Sequence, residues 1–133
     1  MPVEFSPDYQ PSESENYMNP AQIEYFRRKL QKSRMDLQRE LDAIPHIQPD
    51  ETAHEGDQTD QASTDTDRSF NAINRARIQG LLRQTEEALV RLENGTYGFC
   101  EDTGEPIGLR RLMAQPATPL SLAAQEARER RAG

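Results

Sequence analysis

The chain has 133 residues, of which 34% are apolar and 29% charged, with no tryptophan. That is too little apolar surface for a thick spherical core, and it suits helices that bury one stripe and solvate the rest. The formal charge of −7 argues against nucleic-acid binding through a broad basic surface.

In chain order, residues 1–18 are acidic and rich in proline and serine, and read as an arm without regular structure. The start lacks the basic and apolar regions of a signal peptide. No run of about 18 apolar residues suggests a membrane span. The stretch NPAQ at 19–22 is a helix start: Asn19 can cap, Pro20 suits the first helical position, and Gln22 can complete a capping box. Ile23, Phe26, Leu30, Leu37, Leu41 and Ile44 then recur at spacings of three, four and seven, with Ser33 in the seam between Leu30 and Leu37. This predicts an amphipathic helix ending near Pro45. Between His46 and Asp67 the pattern is lost, and the segment is acidic, with no lysine or arginine. Helical spacing resumes at Arg68, through Phe70, Ile73, Leu81, Leu82, Ala88, Leu89 and Leu92, and Asn94-Gly95 supplies the stop. Gly80 interrupts this helix at a cost of about 1 kcal/mol relative to alanine, for no reason visible in the sequence.

Two such helices joined by a polar segment are expected to fold back as an antiparallel coiled-coil hairpin. About 28 helical residues make an arm of roughly 40 Å. After Gly95 comes a turn-rich piece, a short helix within IGLRRLMA, and a final basic helix opening at Thr118-Pro119. The fold expected is mainly α. Residues 1–18 and 96–133 form a small base, and residues 19–95 form the hairpin, with its tip near 49–64.

The stretch YGFCEDTG at 97–104 resembles half of a zinc knuckle, yet Cys100 is the only cysteine and Thr103 stands where a second would be. A structural zinc site needs about four sulfur or nitrogen ligands, so zinc is not expected and Cys100 reads as a small packed side chain. One unpaired cysteine also fits a reducing cytoplasm. Glu101 and Asp102 beside it are expected to disfavour the thiolate. Asp57 and Asp60, three apart at the entry to the second helix, read either as a functional probe on a stalk or as acids favoured by the helix dipole. A calcium loop lacks its pattern. A loop tip offers no cleft to shift paired carboxylates, and no catalytic triad, phosphate loop or dinucleotide fingerprint is present. An enzyme is therefore not expected.

The stretches NYMNPAQIEYFRRKL and YGFCEDTGEPIGLRRLMAQPAT, with DQTDQA between them, resemble the DksA/TraR family of bacterial transcription factors from about residue 16 to 130. The resemblance implies a protein that binds RNA polymerase, not DNA, and inserts its hairpin into the secondary channel. There it changes the stability of open promoter complexes, together with guanosine tetraphosphate. Asp57, Asp60 and Ala62 match the family's tip residues, and Arg77 matches a basic hairpin position associated with polymerase contact. The implied molecule is a cytoplasmic monomer without membrane contact. Of the family's four zinc cysteines only Cys100 remains, with Thr103, Ser121 and Ala124 in place of the others. Phe99, Ile107, Leu109, Leu112, Leu120 and Leu122 are expected to pack in place of the metal. Gln84, Gln115 and Gln125 stand where the family carries basic residues of the alarmone site, which weakens the expected synergy. Two other readings are a transcript-cleavage factor of the Gre type, whose tip acids position magnesium, and a structural or adaptor hairpin unrelated to polymerase.

Overall fold

The computed structural model describes residues 6–46 and 58–132. Among the described residues four helices follow one another: α1 (Pro20–Ala43), α2 (Gln58–Asn94), α3 (Leu109–Ala114) and α4 (Leu122–Ala132). Among the described residues there is no strand, only an isolated bridge between Phe99 and Pro106.

Helix α1 starts where its capping residues dictate. Asn19 Oδ1 accepts from the Gln22 N–H at 2.9 Å, and Gln22 Oε1 accepts in return from the Met18 N–H at 2.7 Å. The reciprocal bond therefore reaches one residue further back than the usual capping box. Gln22 is fully buried, and its Nε2 donates to the Ser12 carbonyl at 3.3 Å. This amide ties the arm to the helix. Tyr9 donates to Glu15, and the Ser12 N–H donates to Glu15 at 2.8 Å. The arm from residue 6 onward is thus a folded part of the base, built on turns that its composition hides.

Helices α1 and α2 pack antiparallel. Phe26 and Leu30 meet Ala88 and Leu92 at the base end, while Ile44 meets Ile78 and Leu82 at the other. Ser33 and Thr85 fall between these two clusters in sequence. The Thr85 hydroxyl is satisfied by its own helix, donating to the Leu81 carbonyl at 2.8 Å. The α1 seam follows the predicted spacing. The α2 seam does not: Phe70 is 68% and Ile73 71% exposed, and Leu81 is also exposed. Ile78, Leu82, Thr85 and Leu92 form the buried side instead. Their near-heptad spacing matches the α1 seam, which leaves Phe70, Ile73 and Leu81 on a second, outward stripe.

Helix α2 also begins ten residues before the apolar spacing resumes at Arg68. Residues 58–67 have no apolar stripe, but Asp60 falls in the first turn, at the positive end of the helix dipole, and Asp65 pairs with Arg68 at 3.5 Å. Since α1 ends opposite Ile78, the N-terminal part of α2 runs past the end of α1. Ala62, exposed on it, lies roughly 45 Å along the helix from Leu92. At the other end α2 stops at Gly95, whose φ of 79° is the left-handed conformation a glycine stop provides.

The base is one apolar cluster of Tyr97, Cys100, Ile107, Leu109, Leu112, Leu120 and Ala124 against Phe26, Leu30, Ala88 and Leu92. Two expected members are absent from it. Leu122 is 56% exposed, and Phe99 sits at the surface, edge-on to Tyr17 at 5.7 Å. Their places are taken by aromatics with polar ends. Tyr17 Oη donates to the Gly98 carbonyl at 2.6 Å and accepts from the Gly108 N–H at 3.0 Å. Tyr97 Oη donates to the Pro116 carbonyl at 2.7 Å. Burial pushes the Tyr97 phenol well above its ordinary value, keeping it a neutral donor.

Candidate functional site

Three places carry the residues singled out in the sequence: the far end of the hairpin, the knuckle of the base, and a groove between base and hairpin.

At the far end, Asp57 lies outside the described residues. Asp60 falls in the first turn of α2, and Ala62 follows it, exposed, on the same helix. Arg77 is exposed on α2, with Nη2 donating to Asn74 Oδ1 at 2.9 Å. Asp60, Ala62 and Arg77 are thus all carried by the part of α2 away from the base.

At the knuckle, the four positions come together, but they are not a ligand set. Cys100 and Ala124 are buried and Thr103 is exposed. The Ser121 hydroxyl faces the Cys100 sulfur at 3.6 Å and accepts from the Ala124 N–H at 3.2 Å. Ser121 is therefore the cap of α4, which begins there and not at Thr118-Pro119. The Thr118 hydroxyl is engaged in the preceding turn, accepting from the Leu120 N–H at 3.4 Å. Among the described residues no cluster of His, Cys, Asp and Glu could hold a metal ion. One thiol, two hydroxyls and a methyl do not fit the zinc that a four-cysteine knuckle would hold.

Hydrogen bonds and ion pairs tie the knuckle together. Arg111 Nε donates to the Leu120 carbonyl at 2.8 Å, and its Nη2 reaches the Thr118 hydroxyl and Gln125 Oε1. Arg128 grips Asp102 through both oxygens at 2.8 and 2.5 Å. Arg91 lies 3.6 Å from Glu101. The two acids beside Cys100 are thus turned to arginines.

The thiol follows from this. Burial pushes it up, but the Ser121 N–H and hydroxyl and the Thr103 N–H and hydroxyl all favour the thiolate. Together they pull it from 9.0 down to about 6. This corrects the expectation that Glu101 and Asp102 would suppress the thiolate. A depressed value means that the thiolate's stabilisation is fully present above 9, fades as pH falls, and is lost through about 6. Thiolate ultraviolet absorbance against pH is expected to show a midpoint near 6, moving upward in Thr103→Val. A midpoint near 9 in the native chain would contradict the assignment.

The groove, of about 640 Å³, is lined by Ser33, Leu37 and Leu81 of the hairpin, by the 114–120 turn and by Arg128. Gln84, Gln115 and Gln125 also lie along it, so three glutamines far apart in sequence share one surface. Arg128 is the cation lining it, and Asp102 already holds that cation.

Two family profiles match the chain in tandem. "DnaK suppressor protein DksA, N-terminal domain" covers residues 22–92, and "Prokaryotic dksA/traR C4-type zinc finger" covers residues 95–130. The chain belongs to the DksA/TraR family. Among similar members, the RNA polymerase-binding transcription factor DksA of Caulobacter vibrioides is 46% identical over 93% of this chain and 87% of its own. The protein of that name from Escherichia coli is 38% identical over 86% of this chain and 76% of its own. The solved structure of transcription factor DksA2 from Pseudomonas aeruginosa superposes with a TM-score of 0.76 at 36% identity, covering 92% of each chain. The family's zinc-finger profile thus spans a segment with one cysteine, so the knuckle outline has outlasted its ligand set.

Proposed function

We propose that this protein is a non-catalytic transcription factor that binds RNA polymerase through its secondary channel and alters the lifetime of open promoter complexes. The observation that carries the reading is the similarity across both hairpin and base to relatives named as RNA polymerase-binding transcription factors. The shape supports it. A helix reaching roughly 45 Å beyond the base can deliver charge where a compact domain cannot go, and the base stays outside to hold the complex together.

In this reading Asp57, Asp60 and Ala62 act beside the polymerase active site, and Arg77 contacts the channel wall. Carboxylates there can bond polymerase groups or perturb the field near its catalytic metal. The base is zinc-independent, because Arg111, the Arg128–Asp102 pair and the Ser121–Cys100 contact connect the segments that a metal would otherwise join. The groove of Gln84, Gln115 and Gln125 offers neutral amides to a polyanion, so synergy with guanosine tetraphosphate is weak. The protein acts as a cytoplasmic monomer without DNA contact; among its described residues no helix is long and apolar enough to cross a membrane. Transcript cleavage and a polymerase-free adaptor role are not favoured by these relatives. The test is the lifetime of open complexes at a ribosomal RNA promoter with added protein. A shortened lifetime that the alarmone changes little is expected, and an unaltered lifetime would overturn the reading.

A further inference from the structure

The only lysines in the chain are Lys29 and Lys32, and both line one cavity of about 370 Å³ between the arm and α1. Its other walls are Pro7 and Tyr9 of the arm and Tyr25 and Arg28 of α1. Tyr25, Arg28, Lys29 and Lys32 follow i, i+3, i+4, i+7 spacing, so they share one face of α1, within about 100° of one another. The seam residues Phe26 and Leu30 are on another side, buried against α2. The arm supplies the facing wall. Tyr9 stands edge-on to Tyr25 at 6.2 Å, with its hydroxyl donating to Glu15 at 3.0 Å. Lys29 is fixed in place: Nζ donates to the Met113 carbonyl at 2.9 Å and lies 5.8 Å from the centre of the Tyr25 ring.

The charge along this face has one sign. From Tyr25 to Met35 the sequence carries Arg27, Arg28, Lys29, Lys32 and Arg34 and no acid, in a chain of net charge −7. Arg28 pairs with Glu24 at 3.1 Å and Lys32 with Asp36 at 2.9 Å. These are exposed contacts between successive turns, which a phosphate with more charge can displace. Aromatic walls flanked by cations suit a ligand with a flat ring at one end and several negative charges at the other. An inorganic polyanion would leave the rings unused. A nucleic-acid strand would run beyond the cavity onto a chain of net negative charge.

We propose that the cavity between arm and α1 binds a single nucleoside triphosphate. Its base lies against the Tyr9 and Tyr25 rings, and its phosphates take up Arg28 and Lys32, with Lys29 between base and phosphates. The site is separate from the groove of Gln84, Gln115 and Gln125, and it stands whether or not the chain binds polymerase.

The test is calorimetric titration of the full-length protein with ATP in magnesium-free buffer, since stacking tolerates any base. ATP is expected to bind at least tenfold more tightly than inorganic triphosphate or adenosine. Lys32→Gln and Tyr9→Ser are each expected to weaken it at least fivefold. Tyr9→Phe keeps the ring, loses the bond to Glu15 and is expected to bind as the parent does, which a merely structural role of the hydroxyl would not allow. Gln84→Ala, in the groove, is the control and is expected to change nothing. Acetylation of Lys32 by acetic anhydride, read by mass spectrometry, is expected to slow at least fivefold with ATP and not with adenosine. No binding of ATP to the parent, or binding without protection of Lys32, would overturn the proposal. Inorganic triphosphate binding as tightly as ATP would reduce the site to a patch of charge. Binding weakened by Gln84→Ala and not by Lys32→Gln would move it to the groove, and either result also overturns the proposal.

Discussion

Replacing Phe26 by alanine is expected to lower the unfolding free energy by about 3–5 kcal/mol, whereas the same change at Phe70 moves it by no more than about 0.5 kcal/mol. Both residues belong to apolar rows legible in the sequence, and the structure separates them. Phe26 is fully buried where α1, α2 and the base converge. Its ring meets Tyr25 edge-on at 5.3 Å and Tyr97 at 5.6 Å. Its removal opens a cavity where hairpin meets base, and a small domain has little stability to spare. Phe70 is two-thirds exposed and leaves no cavity. Paired urea denaturation curves read the difference directly. Equal losses would mean that α2 is rotated from the register described here.

The second large effect concerns regulation and not folding. Asp57→Asn with Asp60→Asn is expected to leave polymerase affinity within about threefold, or ~0.6 kcal/mol. The same variant is expected to reduce the change in open-complex lifetime by about tenfold or more. The substitutions keep size and remove charge, so they act only where the carboxylates meet polymerase groups. The contacts proposed to hold the complex lie on the base and at Arg77, roughly 25 Å or more along α2 from Asp60. Binding lost in parallel with regulation would make the tip an anchor; regulation retained would remove these acids from the mechanism.

Much of the architecture was legible because it depends on strong local signals. Asn19, Pro20 and Gln22 mark the start of α1, its seam follows the apolar spacing through Ile44, and Gly95 ends α2. The face of α2 was harder to read. Phe70, Ile73 and Leu81 make a row as regular as the one that is buried, and only packing against α1 decides between them. The early start of α2 was hidden because residues 58–67 are helical without an apolar stripe. The folded arm was hidden because its order comes from Tyr17 bonding to Gly98 and Gly108, and from Glu15 and Gln22 bonding across its turns. At the knuckle, the loss of zinc ligands was plain from one cysteine, but not what took their place. The Arg111 bonds join segments that the sequence holds apart. The depressed thiol of Cys100 reflects donors at Thr103 and Ser121 that face it only once folded. The glutamines were visible singly, and the fold gathers them along one groove.

The central claim is that a metal-free base carries a functional hairpin. It is tested most directly by measuring open-complex lifetime at a ribosomal RNA promoter with protein exhaustively dialysed against a strong chelator. The account predicts the same shortened lifetime as with untreated protein, and no change on adding zinc. Loss of the effect on chelation, with recovery on zinc addition, would contradict it.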